Sequence, residues 1–244
     1  MTLLAVDSVV KRFGGLKAVD GISLTLEKGE VMAIVGPNGS GKTTLLNIIN
    51  GVYKPEEGRV IFEGRDVTKL PPYVRARLGI SRAFQVPRPF PDSTVLENVM
   101  TGAIFGGGYD IHKAREAAEE ALRYVGLWEK REQLAGRLTF SELRLLELAR
   151  ALAGRPRLLL LDEVMAGLSP SEIDRTAELI RRVAEERGIA ALALVEHRMR
   201  AVVKLAHRVL VMHQGRKVVE GPPEVALNDP KVVEIYLGRP WRLH

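Results

Sequence analysis

Residues 33–45 read AIVGPNGSGKTTL. Gly36 to Thr43 fit the pattern G-x-x-x-x-G-K-[ST], and the context fits as well. An apolar strand-like run, VMAIV, precedes the loop, and a helix-like run, KTTLLNIINGV, follows it. Leu45, Ile48 and Ile49 of that run share one helical face before Gly51 stops it. Gly36, Gly39 and Gly41 allow backbone amides to curl into a nest for phosphate oxygens, and the following helix directs its positive end at them. Pro37, Asn38, Ser40 and Thr44 complete the same cradle. Lys42 supplies a point charge, and the Thr43 hydroxyl is a hard oxygen of the kind Mg²⁺ accepts. The competing reading, a Gly-rich turn with an exposed lysine, lacks a reason for the strand before and the helix after.

Outward from this loop, the first third of the chain alternates strand-like runs with turns at Gly14-Gly15, Lys28-Gly29 and Glu57-Gly58. Residues from about 92 to 154 switch to helical periodicity, interrupted by Gly106-Gly107-Gly108. Strand and helix then alternate again through RLLLLDE, SEIDRTAELIRRVAEERG, AALALVEH and HRVLVMHQGRKVVEG, which predicts parallel strands with crossover helices. The expected fold class is α/β with strand-rich and helical additions. No internal repeat is evident.

The 244 residues, 46% hydrophobic, suffice for one elaborated domain. Apolar runs stay far below the ~20 residues of a membrane-spanning helix, and the N-terminus carries no basic leader, so a soluble cytoplasmic chain is expected. The absence of cysteine excludes disulfides, zinc-thiolate sites and thiol nucleophiles. Thirty-six Lys and Arg against thirty Asp and Glu give +6, which suits either a polyanionic ligand or a mixed, solvated surface.

A second apolar strand, RLLLLDE, ends in Asp162 and Glu163, at the carboxyl edge where ligands of open α/β sheets bind. Asp162 is placed to hold a metal through water, and Glu163 to orient and deprotonate an attacking water. AALALVEH ends similarly in Glu196 and His197, whose imidazole is able to donate to a γ-phosphate oxygen or the lytic water. Taken alone, a histidine at a strand end is equally at home as a solvated or structural group.

In their order along the chain, the phosphate loop, AFQ, LTFSE, LLLLDE and LVEH resemble the nucleotide-binding subunit of an ATP-binding-cassette (ABC) transporter. KRFGGLKAVDGIS, AFQVPRPFPDSTVLENV, LVEHRM and NDPKVVEIYLG resemble the branched-chain amino acid importer ATPases in particular, with urea importers and lipopolysaccharide exporters as less similar relatives. The resemblance spans about residues 3–238. It implies a P-loop NTPase core of RecA-like type with an N-terminal antiparallel β subdomain, formed by residues 1–90 and 155–244. An inserted α-helical subdomain covers residues 91–154, all within one ABC ATPase domain. It further implies ATP and Mg²⁺ as ligands, with Thr43, Gln85 and Asp162 near the metal and Lys42, Glu163 and His197 in catalysis. Phe13 matches the aromatic that stacks on adenine, with a plain core aromatic as the alternative. Gln85 matches the glutamine that links the nucleotide site to the transmembrane partner.

The family's signature, L-S-G-G-Q or L-S-Y-G-Q, faces the ATP of the opposite subunit, and its slot here is the start of LTFSELRLLELARAL, residues 138–152. Thr139 keeps a hydroxyl and Phe140 an aromatic ring. Ser141 replaces a glycine where a positive φ is expected, and Glu142 replaces a glutamine, complementing the helix dipole while bringing negative charge toward the partner's ATP. Val164 stands where the family has proline. The resemblance implies transmembrane permease subunits as partners, a homodimer or a heterodimer with a paralogous ATPase, attachment to the inner face of the membrane through the permease, and no direct nucleic-acid binding. A weakly hydrolytic ATP clamp in a heterodimer is the alternative that the altered signature raises.

Overall fold

The computed structural model describes residues 2–194 and 199–237. Glu196 and His197 lie outside the described residues, and the expectation for His197 with them.

β1 (Thr2–Phe13) and β2 (Leu16–Glu27) form a long hairpin closed by Gly14 and Gly15. With β4 (Glu57–Phe62) and β5 (Arg65–Asp66) they make a four-stranded antiparallel sheet of order β2-β1-β4-β5. The second sheet is six-stranded, of order β10-β9-β3-β8-β7-β6. Its members are β3 (Val31–Val35), β6 (Ile80–Ala83), β7 (Leu158–Asp162), β8 (Ala190–Leu194), β9 (Arg208–His213) and β10 (Arg216–Gly221). β9, β3, β8, β7 and β6 run parallel, as the strand and helix alternation predicts.

HRVLVMHQGRKVVEG differs from that expectation, because it folds back on itself. Gln214 (φ 47°) and Gly215 (φ 78°) both take the left-handed conformation of a two-residue hairpin turn, so β10 is an antiparallel edge strand.

The helices are α1 (Lys42–Asn50), α2 (Pro72–Arg77), α3 (Val95–Thr101), α4 (Ile111–Val125), α5 (Phe140–Ala153), α6 (Pro170–Arg187), α7 (Met199–Leu205), α8 (Pro223–Ala226) and α9 (Pro230–Leu237). α3, α4 and α5 pack on one another through Val99, Ala118, Leu122, Leu146 and Leu152. This helical group and the antiparallel sheet accompany the α/β core expected from the sequence.

Side-chain alternation on the central strands divides the interior in two. Met32 and Ile34 of β3 and Leu158 and Leu160 of β7 join α1 and the antiparallel sheet in one core. Val31, Ala33 and Val35, with Leu159 and Leu161, join the helices on the other face. Every residue of β3 and β7 is therefore buried, which is why both read as continuous apolar runs. The same parity sends Asp162, two residues after Leu160, toward α1.

Arg75 fixes the far end of α1. Its fully buried guanidinium donates to the carbonyls of Ile48 (2.8 Å), Ile49 (2.7 Å), Leu70 (3.0 Å) and Thr68 (2.9 Å). Burial pushes the Arg75 pKa down to about 10, since desolvation disfavours the cation. With its C-terminus held in this way, α1 presents its N-terminus to the phosphate loop.

Candidate nucleotide and metal site

The loop from Gly36 to Gly41 joins β3 to α1, and two of its glycines are dictated by space. A Cβ on Gly36 would overlap the Met212 carbonyl oxygen, and one on Gly41 would overlap that of Ala18. Gly41 also caps α1 at φ 102°, a conformation that L side chains rarely adopt. No side chain caps the N-terminus of α1, so its first-turn amides face the cleft, where the helix dipole favours an anion. Lys42 Nζ donates to the carbonyls of Gly36 (2.8 Å) and Pro37 (3.1 Å) and so braces the loop. Ser40 Oγ is buried and has no hydrogen-bond partner among the described residues.

These groups border a cleft of about 510 Å³ lined by residues 38–44 together with Leu16, Ala18, Gln85 and Glu163. The structure thus brings Gln85 and Glu163 to the phosphate loop across the sheet edge. Gln85 Nε2 donates to Glu163 Oε2. Glu163 has a left-handed backbone (φ 47°) immediately after β7, and the turn aims its carboxylate into the cleft instead of along the strand.

Asp162 stands just behind. It is buried and paired with Arg82, whose Nη2 contacts Asp162 Oδ2 and whose Nη1 donates to Asn47 Oδ1 of α1 at 2.7 Å. Asp162 borders a second, larger cleft of about 830 Å³, as do Arg82, Phe84, Val86, Phe90 and Phe105. Gln85 borders both clefts.

Phe13 is not drawn into the phosphate cleft. Its ring is 44% exposed at the end of β1 and meets Tyr53 edge-on, with centroids 5.3 Å apart. The ring is therefore half-exposed and not part of the buried core.

Thr139, Phe140, Ser141 and Glu142 lie away from this chain's own phosphate cleft, at the start of α5. Thr139 caps the helix, and Glu142 completes a reciprocal box by accepting from the Thr139 amide at 2.9 Å. Glu142 also pairs with Lys130. The Lys130 hydrogen bond holds the Glu142 carboxyl below the usual carboxylate range, against the opposing effect of desolvation. Its carboxylate is thus engaged within its own chain by Lys130 and the Thr139 amide. Ser141 departs from expectation: it sits in the first turn of α5 with an ordinary helical backbone, so the glycine-requiring φ is not needed here.

Two arginines escape sequence reasoning. Arg82 is visible only through strand pairing, since it stands opposite Leu160 and on the same side as Asp162. Arg144 of α5 donates to the Phe84 (3.3 Å) and Ala166 (3.4 Å) carbonyls and lies 4.9 Å from the Phe140 ring centre, joining α5 to the loops that carry Gln85 and Glu163. Burial lowers its pKa, and the Glu163 and Glu147 charges oppose that shift.

The sequence profile of the ABC transporter family matches residues 19–166. The chain belongs to the ABC transporter family. It is 39% identical over 256 residues to the probable branched-chain amino acid transport ATP-binding protein LivG of Archaeoglobus fulgidus, covering 98% of this chain and 96% of the relative. It is 35% identical over 250 residues to the high-affinity branched-chain amino acid transport ATP-binding protein BraF of Pseudomonas aeruginosa, covering 97% and 98%. Among solved structures, an ATP-binding cassette of an ABC transporter in its ADP conformation superposes with a TM-score of 0.88 at 36% identity, covering 98% of this chain and 100% of the other. A dimeric post-hydrolysis cassette bound to ADP and Pi gives 0.79 at 26% identity, covering 91% and 99%. The reading of this ABC chain as an ATP-binding and ATP-hydrolysing subunit stands. Among its described residues no helix is long and apolar enough to cross a membrane.

Proposed function

We propose that this cassette hydrolyses ATP to drive the import of branched-chain or related amino acids through a separate membrane permease. The observation that carries the reading is the position of Gln85, which borders both the phosphate cleft and the larger cleft. Phe84, Val86, Phe90 and Phe105 are each about half or more exposed around the larger cleft, an apolar groove of the kind that receives an amphipathic helix. A permease helix seated there would touch the residue that touches Glu163.

In the cleft, the loop amides and Lys42 would bind the triphosphate, and the unpartnered Ser40 hydroxyl would gain an acceptor. Thr43 and Gln85 in the cleft, with Asp162 just behind it, offer hydroxyl, carboxamide and carboxylate oxygens, a donor set that fits Mg²⁺. When bound, the ion would neutralise phosphate charge. Glu163 would accept a proton from water as that water attacks the γ-phosphorus. The bond to the β-bridging oxygen breaks, giving ADP and inorganic phosphate. Lys42 and the amides would hold the developing charge on the leaving group.

Because Thr139 to Glu142 lie away from the chain's own cleft, a second subunit arranged head to tail would bring them to its neighbour's nucleotide. The same reading assigns residues 91–154 to the unit carrying the signature, and residues 1–90 with 155–244 to the nucleotide-binding unit. It places the protein at the inner face of the membrane through its permease.

Reconstitution with a permease and substrate-binding protein of the branched-chain amino acid type tests the reading. ATP-dependent uptake of labelled leucine into vesicles is expected. Uptake of urea instead, or of neither, would overturn the substrate assignment.

A further inference from the structure

Arg82 is a cation in the place where a divalent metal would need negative charge. It is 6% exposed in its side chain, and Asp162 is 8% exposed. One guanidinium nitrogen holds Asp162 Oδ2, and another donates to Asn47 Oδ1 on α1. The face of the group lies 4.7 Å from the Phe84 ring centre, next in sequence to Gln85. A planar fork anchored on three elements is pre-organised and is not displaced by a simple rotamer change.

The β6 and β7 register explains the pairing. Arg82 stands beside Leu160 in a parallel pair, and side chains two residues apart on a strand share a face, so Arg82 leans forward onto Asp162. A buried carboxylate needs a counter-charge, and Arg82 provides one. A divalent ion approaching Asp162 would therefore meet a carboxylate already half neutralised, with a like charge fixed beside it.

We infer that Arg82 is a positioning residue that acts through Asp162 to set the Mg²⁺ requirement of nucleotide binding. It keeps the carboxylate ordered and compensated when the site is empty, and raises the Mg²⁺ concentration needed to fill it. The inference rests on the proposed metal-side role of Asp162. Its test separates the two, because it reads binding in place of turnover.

ATP binding to the purified protein is titrated calorimetrically over a range of Mg²⁺ concentrations, and without Mg²⁺ in the presence of a chelator. Arg82→Gln and Arg82→Met remove the charge, with Gln retaining hydrogen bonds should Met fail to fold. Arg82→Lys keeps the charge. The neutral variants are expected to lower the half-saturating Mg²⁺ concentration by about ten-fold while leaving Mg²⁺-free ATP affinity within about two-fold, since a fixed like charge near the ion has gone. The Lys variant is expected to stay within about two-fold of wild type on both measures.

An unchanged Mg²⁺ dependence in the neutral variants overturns the inference. So does an increased Mg²⁺ requirement, or an equal loss of affinity with and without Mg²⁺, which marks a purely structural role. If Mg²⁺ has no effect on ATP binding by wild type, the metal-side assignment of Asp162 fails and the inference falls with it.

Discussion

Gln85 and Glu163, 78 residues apart in sequence, are hydrogen-bonded side chain to side chain at the mouth of the phosphate cleft. The contact ties a loop that also borders the larger apolar cleft to the carboxylate proposed above as the base. It allows whatever occupies the larger cleft to bias the orientation of Glu163.

Replacing Gln85 with Ala should leave ATP affinity nearly intact, because the loop amides and Lys42 are untouched. Hydrolysis should fall by about ten-fold, as the carboxylate loses the partner that orients it. Phosphate release and nucleotide affinity, measured on the same preparation, check the pair of outcomes. A parallel loss of affinity would show that Gln85 holds nucleotide more than it guides Glu163.

The phosphate loop offers a contrast between neighbouring glycines. Gly41→Ala places a methyl group on the Ala18 carbonyl in a left-handed conformation, and should abolish measurable ATP binding. Gly39→Ala meets open space at φ 77°, so only left-handed strain of about 1–2 kcal/mol applies. Its ATP affinity should stay within about thirty-fold of wild type. Equal losses in the two variants would contradict the steric account.

Glu142 gives a pH signature. Its folded pKa lies below the ordinary value, chiefly through Lys130, so its ionised form stabilises the fold above the ordinary carboxylate range. That contribution is lost as pH falls through the depressed pKa. Glu142→Ala should cost about 1 kcal/mol at neutral pH through loss of the capping box, a fall of roughly 2–4 °C in Tm for a chain of this size. The difference from wild type should shrink as pH drops below about 4. Thermal melts of both proteins across that range provide the check, and a gap that widens in acid would refute the sign.

The fold was legible wherever periodicity and turn chemistry agreed. RLLLLDE reads as a doubly buried strand because both its faces are indeed covered, VMAIV reads as the strand that enters the phosphate loop, and Gly36, Gly39 and Gly41 mark the tight turns of that loop by glycine placement. The hairpin after His213 was missed because its turn uses Gln214, a residue without the usual preference for positive φ. Arg82 and Arg144 were illegible for a different reason. Their partners, Asp162, Phe84 and Ala166, lie on other elements and are brought near only by strand register and helix docking. Ser141 and Glu142 were visible as departures from a motif, yet their consequences depended on Lys130 and on the helical first turn, neither of which the motif contains.

The most direct test of the account is a paired measurement on wild type and Glu163→Gln: ATP affinity by calorimetry, and phosphate release under the same conditions. The account predicts affinity within about three-fold of wild type, with phosphate release reduced by a factor of about 100 or more, because the cradle is intact and only the proton acceptor is gone. Wild-type turnover by the variant would contradict it.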